Sequence, residues 1–191
     1  MSAPEPSPSK KHLVLVGMMG SGKSSVGRAL SARCGAPFLD TDAMIEGRAR
    51  KTVTFLFREW GEARFREMER EILAEALAEE TPSIISTGGG VVVTPENRAA
   101  LQAHSHVVYL HAPAEVLFQR LKRDTSRPLL QQPDPLQVLR DLEEKRRAFY
   151  EEAHDRIDVS QLQQKAAAEE IWKKLPESLK QGLSSGRTCP P

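Results

Sequence analysis

Two cysteines are too few for a disulfide framework or a zinc site, since Cys34 has no ligand set around it and Cys189 lies close to the C-terminus. A reducing cytosol is therefore the simplest compartment. Charge of one sign is equally scarce: 27 Lys and Arg face 26 Asp and Glu, a formal net charge of +1. No overall field favours nucleic acid or an anionic membrane, so any anion site has to be local. The first ten residues contain no apolar stretch and carry Pro4, Pro6 and Pro8. They read as a disordered arm over 1–10, neither secretory signal nor membrane anchor. Internal repeats are absent too. What remains, 191 residues at 39% hydrophobic and 28% charged, fits one globular domain. Its expected span is 11–176, with 177–191 as a flexible tail, and it is expected to work as a monomer.

The informative stretch is Gly17 to Ser24, GMMGSGKS, directly behind the apolar run Leu13–Val16. Its spacing is that of a phosphate-binding loop, in which backbone N–H groups converge on phosphate oxygens, a lysine reaches the β and γ phosphates and a serine hydroxyl faces Mg²⁺. The residues behind it read as a helix over Ser24–Cys34, whose N-terminus would face the same anion. A glycine-rich turn is the bland alternative; the strand–loop–helix setting is what the motif requires.

Short apolar runs alternate with helical segments along the chain, which predicts a parallel sheet between helices. Strands are expected at His12–Val16, Pro37–Leu39, Ser83–Ser86, His106–His111 and Arg156–Val159. Helices are expected at Ser24–Cys34, Glu62–Glu79, Pro95–Ala103, Pro113–Lys122, Pro135–Tyr150 and Gln164–Leu175. Ligands of such sheets bind beyond the carboxyl ends of the strands, so the residues after each strand carry the chemistry. These are the phosphate loop, then Asp40-Thr41-Asp42, then Gly88-Gly89-Gly90. If the strand pleat continues, Asp40 and Asp42 project to one side. Asp40 would then serve the Mg²⁺ sphere directly or through water, and Asp42 would take a proton from, or orient, a hydroxyl attacking the γ-phosphate. An Asp capping the helix that follows is the structural alternative. Three successive glycines point to close approach of a ligand or a sharply turned chain. Arg66 shares a helix face with Glu69, an ordinary ion pair when taken alone. Arg146 and Arg147 offer planar forks suited to a carboxylate. The long irregular stretch at about 120–135 reads as a lid carrying Arg127.

The ordered set resembles the shikimate kinase family. The resemblance runs from Leu13 to Leu175: G-x-x-G-x-G-K-S, then F-L-D-T-D at Phe38–Asp42, G-E-x-x-F-R-x-x-E at Gly61–Glu69, G-G-G at Gly88–Gly90, R-P-L at Arg127–Leu129, and K-R ahead of Tyr150. It implies a three-layer α/β/α P-loop kinase fold with a central parallel five-stranded sheet, a helical substrate-binding region at about 41–79 and a lid. The implied reaction transfers the ATP γ-phosphate to the 3-hydroxyl of shikimate, a step of chorismate and aromatic amino acid biosynthesis. ATP is then the co-substrate, with one Mg²⁺ per subunit. On the resemblance, Gly20, Ser21, Gly22, Lys23, Ser24 and Ser25 hold the ATP phosphates, and Arg120 lies by the adenine. Ser24 and Asp40 serve the metal, while Asp42, Lys23 and Arg127 carry the chemistry. Arg66 and Arg146 grip the shikimate carboxylate, Asp42 meets its hydroxyls, and Gly88, Gly89 and Gly90 line the same pocket. The chain departs from the family at Arg50 and Phe55, where a glycine and an acidic residue are usual, which bears on the local turn and its packing. A gluconate-type sugar-acid kinase and a non-catalytic nucleotide-binding module are the competing readings.

Overall fold

The structure, a computed structural model, describes residues 10–122 and 133–185. Five strands form an all-parallel sheet: β1 (His12–Val16), β2 (Phe38–Asp40), β3 (Ile84–Ser86), β4 (Ser105–His111) and β5 (Asp155–Asp158), in the order β2-β3-β1-β4-β5. β1 is central and buried along its whole length, as a parallel strand covered on both faces should be. Its Leu13 pairs with Ile84 on one side and His106 on the other. The chain leaves β1 toward one edge and later passes it to build the other, so the carboxyl end of β1 lies where the topology diverges. Helices α1 (Lys23–Cys34), α2 (Thr41–Ala49), α3 (Val53–Ala78), α4 (Pro95–His104), α5 (Ala114–Leu121), α6 (Pro135–Tyr150), α7 (Gln164–Lys174) and α8 (Glu177–Ser185) complete the three layers, with a short 3₁₀ turn at Val91–Val93.

Local chemistry explains the boundaries. α1 stops at Gly35, whose φ of 83° is left-handed and whose N–H bonds the Ser31 carbonyl. α6 starts where the Asp134 side chain accepts from the Gln137 N–H and Pro135 occupies the first turn. α3 begins well before the expected Glu62: Thr52 caps Phe55, and a break at Gly61 (φ 76°, ψ 171°) divides the helix. α8 occupies residues expected to form a tail, and it is held by Leu179 and Leu183, buried on one face a helical turn apart. No helix among the described residues is long and apolar enough to cross a membrane.

The apolar interior has two parts. The main core joins β1, β4, α1 and α7 through side chains such as Leu13, Leu15, Leu30, Tyr109 and Ile171. A second, smaller cluster of Ile45, Leu56, Phe65 and Ile72 holds α2 against α3. Each large apolar side chain moved fully out of water contributes about 1.5–3 kcal/mol.

Arg50 closes α2 at φ 51° and is the one left-handed non-glycine among the described residues. The turn is thus kept although the residue favoured there is missing, at a backbone cost of about 1–2 kcal/mol. The nearby Phe55 ring lies under the cations of Lys51 and Arg58, at 4.9 and 5.5 Å. Arg50→Gly should raise the stability by about 1 kcal/mol, measured as a higher Tm, because glycine adopts this conformation without a Cβ penalty. A lowered Tm would mean that the arginine side chain contributes more than its backbone costs.

Candidate active site

The loop after β1 wraps around Lys23. Its ammonium is buried and donates to the carbonyls of Gly17 and Met18 at 2.8 and 3.0 Å. Gly17 has φ 144°, and a Cβ there would lie 2.5 Å from the Leu110 carbonyl oxygen. Only glycine lets the loop turn this close to β4. Gly22 precedes α1 with φ 92°, and the first turn of α1 holds no acidic residue of its own, so the positive end of its dipole faces the loop.

Asp40, the last residue of β2, does two things at once. One carboxylate oxygen accepts from the Ser24 hydroxyl at 2.6 Å. The other caps α2, accepting from the N–H groups of Asp42 and Ala43 at 3.1 and 3.3 Å. The helix-capping reading of this aspartate therefore holds. The pleat, however, ends at Asp40, and Asp42 sits in the first turn of α2. Asp42 reaches the third strand's loop from the helix instead: a Cβ on Gly88 would come within 2.7 Å of its Oδ1. The Ser86 hydroxyl lies 3.3 Å from that of Ser24.

Charged groups press on the glycine run from every side. At Gly88 a Cβ would also meet Glu69 Oε1 at 2.9 Å, and at Gly90 it would collide with the Arg66 guanidinium. On Gly89, the carbonyl accepts from Arg146 Nη1 at 3.2 Å and from the Tyr150 phenol. The ordinary ion pair expected of Arg66 and Glu69 is present, 2.7 Å long, but it is not solvated: the Glu69 side chain is 1% exposed and that of Arg66 15%. Burial pushes the Glu69 carboxyl above its ordinary range against the pull of Arg66. For Arg66, burial opposes the charge, yet Glu69 and Glu62 outweigh it and hold the guanidinium above its ordinary value. Arg147, the alternative fork, is exposed and leans 3.6 Å from Glu143.

A cleft of about 650 Å³ runs over the loop. Gly20, Ser21, Gly22, Lys23, Ser24 and Ser25 line it, and so do Asp42, Gly89 and Arg120. Arg120 donates to the carbonyls of Val159 and Ser160, which ties α5 to the segment after β5. Val159 and Leu162 of that segment give the cleft an apolar wall, beside Gln163. Their sequence carries no pattern, and only their place after a strand could have pointed to them. Thr87, another lining residue, was not singled out either; its hydroxyl donates to the Leu15 carbonyl at 2.9 Å. Arg127 lies outside the described residues.

A lysine-bearing anion loop at the carboxyl end of a central parallel strand, opening onto carboxylates and half-buried arginines, defines a P-loop phosphotransferase. The family model for shikimate kinase matches residues 19–176. The chain belongs to the shikimate kinase family. It is 44% identical over 174 residues to the shikimate kinase of Symbiobacterium thermophilum, covering 90% of this chain and 99% of that protein. It is likewise 44% identical over 160 residues to that of Synechococcus sp., covering 83% and 84% of the two chains. A solved shikimate kinase from Acinetobacter baumannii, in complex with shikimate, superposes with a TM-score of 0.83 at 38% identity, over 90% of this chain and all (100%) of that one.

Proposed function

We propose that this chain transfers the γ-phosphoryl group of ATP to the 3-hydroxyl of shikimate, releasing shikimate 3-phosphate and ADP. The observation that carries the reading is the convergence of Arg66, Arg146 and Asp42 on Gly88–Gly90, beside the phosphate loop. Two guanidinium forks suit one carboxylate, and an adjacent carboxylate suits ring hydroxyls. Asp42 accepts the hydroxyl proton as the oxygen attacks phosphorus in line, and the γ–β bridging oxygen leaves with ADP. Lys23, with the loop amides, neutralises the charge that builds on the β and γ oxygens. Arg120 and the Val159–Gln163 segment hold the base, and Arg127, which lies outside the described residues, is assigned the neutralisation of phosphate charge on the family resemblance alone.

The oxygens of Ser24, Asp40 and Ser86 form a hard donor set that fits Mg²⁺. Among the described residues no group of three His, Cys, Asp or Glu could hold a metal. Two hydroxyls and one carboxylate would be the protein's share, as Mg²⁺ tolerates when phosphates and water fill its remaining positions. When bound, one ion per subunit neutralises charge on the β and γ oxygens. We place the enzyme in the cytoplasm as a monomer.

ADP release measured with shikimate, gluconate, quinate and AMP tests the substrate: only shikimate should give rapid turnover, and slow release that no acid accelerates would favour a nucleotide-binding module. Within that assay, Arg66→Lys and Arg146→Lys should each raise the KM for shikimate about 10-fold or more with little change in the KM for ATP, since lysine keeps the charge and loses the paired hydrogen bonds. Unchanged KM values for the acid in both variants would mean that the clamp is elsewhere.

A further inference from the structure

Tyr150 is the last residue of α6, fully buried (0% exposed), and its hydroxyl donates to the Gly89 carbonyl. Arg146 stands one helical turn earlier on the same face and donates to the same oxygen. α6 thus delivers two donors to one carbonyl. A Cβ on Gly89 would lie 3.3 Å from the Met19 N–H nitrogen and 3.5 Å from the Gly17 carbonyl oxygen, so this peptide also touches the phosphate loop. The Tyr150 ring is fixed in turn, stacked on Tyr109 of β4 with centroids 4.9 Å apart and planes 11° from parallel.

We propose that Tyr150 is a positioning residue for the acceptor acid: by sharing the Gly89 carbonyl with Arg146 it leaves the rest of the Arg146 fork for the substrate carboxylate. The inference rests on the assignment of shikimate as acceptor. A carbonyl oxygen has two lone pairs, and here Tyr150 and Arg146 share them. When the phenol oxygen is removed, Arg146 becomes the remaining side-chain donor to a part-buried acceptor, and the guanidinium is drawn toward Gly89 at the expense of the acid. The change is made at the Gly89 carbonyl and leaves the side chains that line the nucleotide end of the cleft in place. The phenol stays protonated throughout the working pH range, because burial pushes its pKa up to about 12, so it acts as a fixed donor and not as a proton carrier.

The test is steady-state kinetics on Tyr150→Phe, with Tyr109→Phe as the matched control that removes a phenol oxygen from the other ring of the stack. Loss of the hydrogen bond should raise the KM for shikimate about fivefold in Tyr150→Phe, leave the KM for ATP within error and lower kcat less than KM rises. In Tyr109→Phe, the KM for shikimate should stay at the wild-type value. An unchanged KM in Tyr150→Phe overturns the proposal, and so does an equal rise in both variants, which would trace the effect to ring packing. Both variants keep their rings; if either melts earlier than wild type, the comparison is made at a temperature where circular dichroism shows all three proteins folded. Wild-type turnover separates the two readings: no turnover of shikimate by the unaltered chain removes the substrate assignment, whereas turnover with an unchanged Tyr150→Phe KM removes only the role of Tyr150.

Discussion

Lys23→Ala is expected to lower kcat/KM for shikimate phosphorylation by on the order of 10³-fold, the loss typical when one preorganised donor to developing transition-state charge is deleted. Lys23 is only 8% exposed, and its ammonium already lies within the loop, bonded to the Gly17 and Met18 carbonyls. It therefore needs little rearrangement to meet the phosphates, and among the described residues the other cation lining the cleft, Arg120, is held by the Val159 and Ser160 carbonyls. The same bonds predict a cost to the fold, since the two carbonyls lose a charged donor: about 1–3 kcal/mol, with a cooperative melt retained. Circular dichroism and thermal melts, run beside the ADP assay, distinguish lost chemistry from lost structure. Activity close to wild type in a folded Lys23→Ala protein would remove the phosphate loop from the mechanism.

Asp42→Asn should lower kcat by about 10²-fold or more while ATP binding persists, because the amide keeps the size and part of the hydrogen bonding but cannot accept the hydroxyl proton. Asp40→Asn should behave differently. Its carboxylate bonds the Ser24 hydroxyl at 2.6 Å, so the variant should need about 10–100-fold more Mg²⁺ for the same rate, the usual penalty for losing a charged partner of a metal ligand. It should also lose stability, because Asp40 caps α2 through two backbone N–H groups. Titrating Mg²⁺ against rate in both variants separates the roles. Should Asp42→Asn show the shifted metal dependence and Asp40→Asn show none, the two assignments exchange.

The extent to which the sequence foretold this differs by element, for physical reasons. β1 and α6 lie where they were expected to the residue, because a continuous apolar run and an Asp-Pro start leave no competing reading. The front half of α3 was hidden by Gly61, which reads as punctuation but sits inside the helix as a break at φ 76°. α8 was hidden by serines and glycines around Leu179 and Leu183, a pair whose spacing was the available signal. In the site, spacing placed Lys23, Ser24 and the glycine run, since each answers to a phosphate or a close approach. The strand-pleat argument for Asp42 failed because Asp40, by capping α2, ends the strand before the pleat can carry to it. Tyr150 entered only as a landmark, since the bond that gives it a role connects residues 61 positions apart.

The small cluster of Ile45, Leu56, Phe65 and Ile72 is separate from the main core. A molecule with two interiors has two opening free energies, and the lesser belongs to the part that buries fewer side chains. Amide hydrogens in α2 and the front of α3 should therefore exchange with solvent earlier, as a unit, than those of β1 and β4. Damage to this cluster would be absorbed locally, as a loosened Arg66–Glu69 pair, while the phosphate loop stays assembled. The acceptor side of such an enzyme can be remodelled by changing a handful of apolar side chains, without disturbing the machinery that handles the phosphates.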